Sequence, residues 1–106
     1  MNWQDKIVEA HLSVTDRVSH YRKLRSDRYF VWEERDRSDL IAEGRHAERV
    51  MVGYTDLFTK IENDPWADAI EEAFENYGIA WSLNDILYED DTGFIHYAWS
   101  WEVTDG

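Results

Sequence analysis

The chain reads as an α+β domain: a mostly antiparallel sheet with an N-terminal helix, a second helix packed on one face, and a C-terminal β-hairpin. Three observations predict this. Apolar side chains recur at helical spacing from Trp3 to Tyr21. Asp64-Pro65 and Gly78 bracket a second amphipathic run with helix start and stop signals. From Ile79 to Val103, apolar and polar residues alternate about a turn at Asp90-Asp91-Thr92-Gly93. At 106 residues one domain is expected. It divides into a helix and connection over 1–28 and a sheet over 29–106, with the inserted helix at about 64–77.

In the first segment Trp3, Ile7, His11, Val14, Val18 and Tyr21 fall on one helical stripe, widened by Val8, Leu12 and Thr15. Asn2 can cap, with Asp5 three residues on. Arg22, Lys23 and Arg25 would suit the far end of the helix dipole. The spacing predicts one helix of about 20 residues, about 30 Å long. His11 lies on the apolar stripe and is expected to be packed or half-exposed rather than to ligate.

Tyr29-Phe30-Val31-Trp32 is aromatic and β-branched, the composition of a strand. Charged Glu33 to Ser38 reads as a connection, and Leu40-Ile41-Ala42 as a weak strand ended by Gly44. Residues 49–58 carry apolar side chains on both faces, so a central or doubly covered strand is expected. Gly53 within it indicates a bulge or a close backbone approach. Asp64 is the expected N-cap of the second helix, Pro65 its first position and Gly78 its C′ residue. In the hairpin, Ile79, Trp81 and Leu83 alternate in one phase and Ile86 and Tyr88 in the other, which predicts a bulge near Asn84-Asp85. Ile95, Tyr97, Trp99, Trp101 and Val103 share one face of the last strand and need a layer to pack on.

Composition limits the function classes. With no Cys, there is no disulfide framework, Cys-based zinc site or Cys nucleophile. The net charge of −12 argues against a phosphate-binding surface, because nucleic-acid affinity comes mainly from Lys and Arg. The charge is also split. Residues 1–60 hold all 11 bases and 11 acids; residues 61–106 hold 12 acids and no Lys or Arg. A polarised surface of this kind orients partners. The start of the chain lacks a signal-peptide pattern, and no apolar run approaches the ~20 residues that span a bilayer. The expectation is therefore a soluble intracellular protein without a membrane partner.

Catalytic signatures are missing. There is no phosphate loop, nucleophile elbow or His-Glu-x-x-His motif, and the His at 11, 20, 46 and 96 lack metal-ligand spacing. Glu89, Asp90 and Asp91 with His96 form the best metal candidate, but a solvated turn is the simpler expectation. No catalytic, cofactor or metal residue is assigned, and no cofactor is expected. The binding signal is stronger. Glu62, Asp64, Asp68, Glu71, Glu72 and Glu75 make a dense acidic strip without an interspersed base. Like charges at helical spacing cost about 0.2–0.5 kcal/mol per pair, so the strip is either a candidate channel or partner surface or a plain solvated helix face. Tyr54, Asp56 and Phe58, with Tyr97, Trp99 and Trp101, mark candidate subunit-interface strands.

Particular phrases add a family resemblance. They are Tyr29-Phe30-Val31-Trp32-Glu33-Glu34, Ser38-Asp39-Leu40-Ile41-Ala42-Glu43-Gly44-Arg45, Tyr54-Thr55-Asp56-Leu57-Phe58-Thr59-Lys60, Trp81-Ser82-Leu83-Asn84 and the run from Ile86 to Val103. Together, over residues 29–103, they resemble the tail-terminator or tail-completion (head–tail joining) proteins of Gram-positive siphophages and prophages. The resemblance implies a helix, an antiparallel sheet and a helix packed on it. It implies a ring of copies, a hexamer in that family, that caps the tail tube, joins it to the head and lets DNA pass. The implied partners are further copies of the chain, the tail tube protein and a head-closure protein, with no specific nucleic-acid binding. The implied location is the bacterial host cytoplasm and then the virion tail or neck. The alternative is an acidic DNA mimic that inhibits a nuclease or DNA-binding protein. A small enzyme or ligand-binding domain is a third reading, and it requires a concave pocket.

Overall fold

A computed structural model describes the backbone of residues 1–42 and 45–106 and the side chains of 1–38 and 49–106. Asn2 starts the first helix, α1 (Trp3–Leu12), by accepting the Asp5 N–H on its side chain. The helix stops at Ser13, far short of the 20 residues its stripe predicts. Ser13 turns its hydroxyl to the Ala10 carbonyl, and the Arg17 N–H donates to Thr15 Oγ1. Such local side-chain bonds compete with helix continuation. The chain gains more by pairing β1 (Val18–His20) in parallel with Phe30–Trp32 of β2 (Arg28–Ala42). Val14 and Val18 still pack against the core, so the stripe marks burial but not conformation.

Glu33–Ser38 is not a connection. It is the middle of β2, a 15-residue strand that pairs antiparallel with β3 (Arg45–Thr59), with a register shift between Glu34 and Asp36. These charged side chains look like a loop because this stretch buries neither face; the ladder alone supplies its backbone partners. Leu40–Ala42 belong to the same strand, and the stop expected at Gly44 lies outside the described residues.

The second helix, α2 (Pro65–Asn76), forms as its punctuation demands. Asp64 accepts the Trp66 N–H, and Gly78 follows the cap at φ +69°. β4 (Ala80–Glu89) and β5 (Phe94–Thr104) close the hairpin, with Gly93 at φ +79° and the register shift between Leu83 and Asp85. The strand order is β1-β2-β3-β5-β4, which makes β3 central. Both helices pack on one face. Ile7 and Ala10 of α1 and Ile70, Ala73 and Phe74 of α2 meet Phe30, Trp32, Leu57, Trp99, Trp101 and Val103 of the sheet. On the opposite face Tyr29, Val31 and Phe58 make a smaller cluster with Phe94.

One polar chain runs through the main core. The Trp101 indole N–H donates to Thr55 Oγ1 at 3.0 Å. An indole nitrogen can only donate, so the Thr55 hydroxyl turns its own hydrogen to His11 Nε2, also at 3.0 Å. Nδ1 then carries the ring hydrogen and donates to the Ile7 carbonyl at 2.7 Å. Gly53 makes room for this arrangement: a Cβ there would collide with the Trp101 ring and the Glu33 carbonyl.

Burial is the main force on His11. It pushes the imidazole pKa down from 6.5 to about 4, against the opposing pull of the Ile7 carbonyl. Between these values the unfolded chain binds a proton at His11 that the folded chain refuses. Stability is therefore full above pH 6.5 and falls as pH drops towards 4, by on the order of 3 kcal/mol. Urea titrations across that window should show this loss in the parent chain. His11→Gln should be weaker at neutral pH but much flatter through the window; an unchanged slope in the variant would assign the loss to other groups.

Candidate functional site

The acidic strip divides into structural and free carboxylates. Asp64 is buried and belongs to no surface, which corrects its place among the strip residues. Arg28 grips it with two bonds, Nε to Oδ2 at 2.8 Å and Nη2 to Oδ1 at 2.5 Å. The Thr59 hydroxyl donates to Oδ2 at 2.7 Å, and the Arg28 guanidinium lies 3.7 Å from the Trp66 ring centroid. Burial works to raise the Asp64 pKa. The Arg28, Trp66 and Thr59 donors outweigh it and hold the carboxyl below its usual 3.8. This stabilising contribution exists above that value and disappears only in stronger acid, below the His11 window.

Glu71 and Glu75 also have structural partners. The buried Trp99 donates its indole N–H to Glu71 Oε2 at 2.9 Å, and Trp81 donates to Glu75 Oε1 at 3.0 Å. Glu62, Asp68 and Glu72 are exposed.

The expected interface strands, β3 and β5, are the inner strands of the sheet. Tyr97, Trp99 and Trp101 face the helices and are buried in the core. Tyr54, Asp56 and Phe58 line the other face of β3, where Phe58 is buried and Asp56 accepts from His96 Nε2 at 2.8 Å. Both strands are flanked on each side and have no open edge. The pairing of His96 with Asp56 also takes it away from Glu89, Asp90 and Asp91. Among the described residues no group of three or more His, Asp or Glu is placed to hold a metal ion.

One edge of the sheet is β4, which pairs only with β5. Leu83, Ile86, Leu87 and Tyr88 are 40–64% exposed along it. Leu87 lies on the face away from the helices; the exposure of the other three follows from lengths. Twelve residues of α2 span about 18 Å, whereas ten residues of β4 span about 34 Å, so the helix cannot cover the strand. The alternation of Ile86 and Tyr88 predicts the strand, and comparison of the two lengths is the sequence signal for its uncovered end.

Between α2 and β4 lies a groove of about 230 Å³. Asn63, Asp68 and Glu71 form its polar wall; Leu83, Ile86 and Tyr97 form its apolar floor. A second depression of about 240 Å³ lies over Val52, Ala80, Ser82 and Ser100. Both fall below the roughly 300–1,000 Å³ of small-molecule pockets. Among the described residues no helix is long and apolar enough to cross a membrane. Compared with known proteins, the chain matches no family model and no curated protein.

Single alanine substitutions should separate the two kinds of carboxylate in urea denaturation. Asp64→Ala should cost about 3–5 kcal/mol, because it uncaps α2 and strands the partly buried Arg28. Glu71→Ala should cost about 1–2 kcal/mol by orphaning the Trp99 indole. Asp68→Ala and Glu72→Ala should stay within about 0.5 kcal/mol of the parent. Equal effects at Glu71 and Asp68 would remove the structural assignment of Glu71.

Proposed function

We propose that the chain is a structural, non-catalytic subunit of a phage or prophage particle. It self-associates into a ring that caps the tail tube and joins it to the head, in the manner of tail-terminator proteins. The open β4 edge carries this reading. A ten-residue edge strand with four exposed large apolar side chains is a surface that soluble monomers normally guard.

Three further points support it. The order of helix, sheet and packed helix is the one the family resemblance implies. The split of charge suits a subunit in which one patch meets a different patch of its neighbour. The 46 residues without a base give a ring a face that DNA passes without the counterion release that would hold it. Tail tube and head-closure proteins are the proposed partners, met in the host cytoplasm during assembly and retained in the virion. The acidic DNA mimic is less well supported, since Asp64, Glu71 and Glu75 are occupied by the chain's own donors.

Deletion of the gene from an inducible prophage tests the proposal. The expected result is filled heads and separate, unjoined tails of irregular length by electron microscopy. Tails of normal length attached to heads would overturn it.

A further inference from the structure

The two edges of the sheet differ in a way that selects a partner. Beyond β1, the outer edge of β2 runs from Glu33 to Ser38 with alternating charges and a bulge, the usual protection of an edge. The β4 edge also has a bulge, between Leu83 and Asp85, but its helix side presents apolar side chains in place of charges. Leu83 and Ile86 lie on the floor of the groove, with Tyr88 beyond them on the same face, and Asp68 and Glu71 form its wall. The occupant must bring apolar contact together with positive charge.

A second β4 edge is a poor occupant. It would bring Asp85, Glu89, Asp90 and Asp91 of each copy together, and this half of the chain has no Lys or Arg to separate them. The complementary surface lies at the opposite end of the strand order. Tyr21-Arg22-Lys23-Leu24-Arg25 directly follows β1, and all five residues are exposed. Tyr21 and Leu24 are the apolar members. Among the described residues neither Arg22 nor Arg25 has an ion-pair partner.

This segment is also held in shape. Tyr21 adopts φ +71°, a left-handed conformation that non-glycine residues take only when their surroundings enforce it. Its N–H donates to the Trp32 carbonyl at 3.0 Å, and its ring stacks on His20 with centroids 3.9 Å apart. His20 in turn stacks on Trp32 at 3.8 Å and donates to Glu34 at 2.7 Å. The Tyr21 ring is therefore presented at little entropic cost to binding.

We infer that the groove between α2 and β4 receives the Tyr21–Arg25 segment of a second copy of this chain. Tyr21 and Leu24 cover Leu83 and Ile86, and the bases meet Asp68 and its acidic neighbours. Since the two surfaces lie at opposite ends of the strand order, the contact is head-to-tail, and each copy keeps one surface of each kind for the next neighbour. The inference rests on the proposed self-association and names the surfaces that carry it.

Two variants of the full chain test it, each altered only at exposed positions. One carries Asp68→Arg and Ile86→Arg; the other carries Arg22→Glu and Arg25→Glu. Circular dichroism and thermal melts should show both folded. By native mass spectrometry and sedimentation at low salt, the parent should form multimers and each variant alone should be monomeric. Mixed, the variants should associate again, at least as a one-to-one dimer, because one intact groove and one intact segment remain between them. A groove variant that is monomeric beside a segment variant that still assembles would overturn the assignment of Tyr21–Arg25. If both variants assemble like the parent, the groove is not the contact. In either case self-association stands. A parent chain that stays monomeric at high concentration overturns both the inference and the self-association beneath it. The prophage deletion phenotype is independent of which surfaces touch.

Discussion

Thr55 stands where three elements meet. It accepts the Trp101 indole hydrogen from β5 and gives its own to His11 of α1, and His11 passes the sequence of donors on to the Ile7 carbonyl. Every polar atom in this chain is satisfied, so burial costs none of them an unpaired group. The arrangement requires a neutral imidazole with its hydrogen on Nδ1, and the surrounding Phe30, Trp32 and Phe74 rings keep water from charging it. It also requires Gly53, over which the Trp101 ring lies. This thread of bonds ties the first helix to β3 and β5 of the sheet.

The second helix is fixed by a different device. Asp64 is its cap, but it is also the buried partner of Arg28 from β2 and Thr59 from β3. A capping residue that would contribute about 1 kcal/mol in isolation becomes a junction of three elements. Part of the acidity of the following helix has the same structural character. Trp99 and Trp81 need acceptors for their indole hydrogens, and Glu71 and Glu75 supply them. The strip is therefore not simply a repulsive face. Only its outer members, with the carboxylates of the hairpin, remain for an external partner.

What those free carboxylates surround is an apolar edge that the fold leaves open. The helix beside β4 is too short to cover it, and every Lys and Arg of the chain lies before residue 61. The sheet thus ends in two unlike surfaces. One is apolar and acidic, the other aromatic and basic, and the proposed head-to-tail contact would bring the two together.

Much of this architecture was legible in the residues. Asp64, Pro65 and Gly78 determine α2 because capping is a local matter between a side chain and the nearest free N–H and C=O groups. The alternation from Ile79 to Val103, its change of phase and Gly93 determine the hairpin and its bulge, since side-chain direction alternates with the pleat. Three features were decided only by the tertiary structure. Val18–His20 share a helical stripe with Val14, yet pair with Phe30–Trp32, because a ladder to a distant strand outweighs a weak local preference. Glu33–Ser38 extend as a strand because β3 lies alongside, although neither face is buried. Asp64 reads in sequence as a helix cap and a member of the acidic strip. Arg28, 36 residues away, is what makes it a buried ion. Periodicity and capping act over one or two turns of chain and can be read from neighbours, whereas pairing and burial depend on residues that only folding brings together.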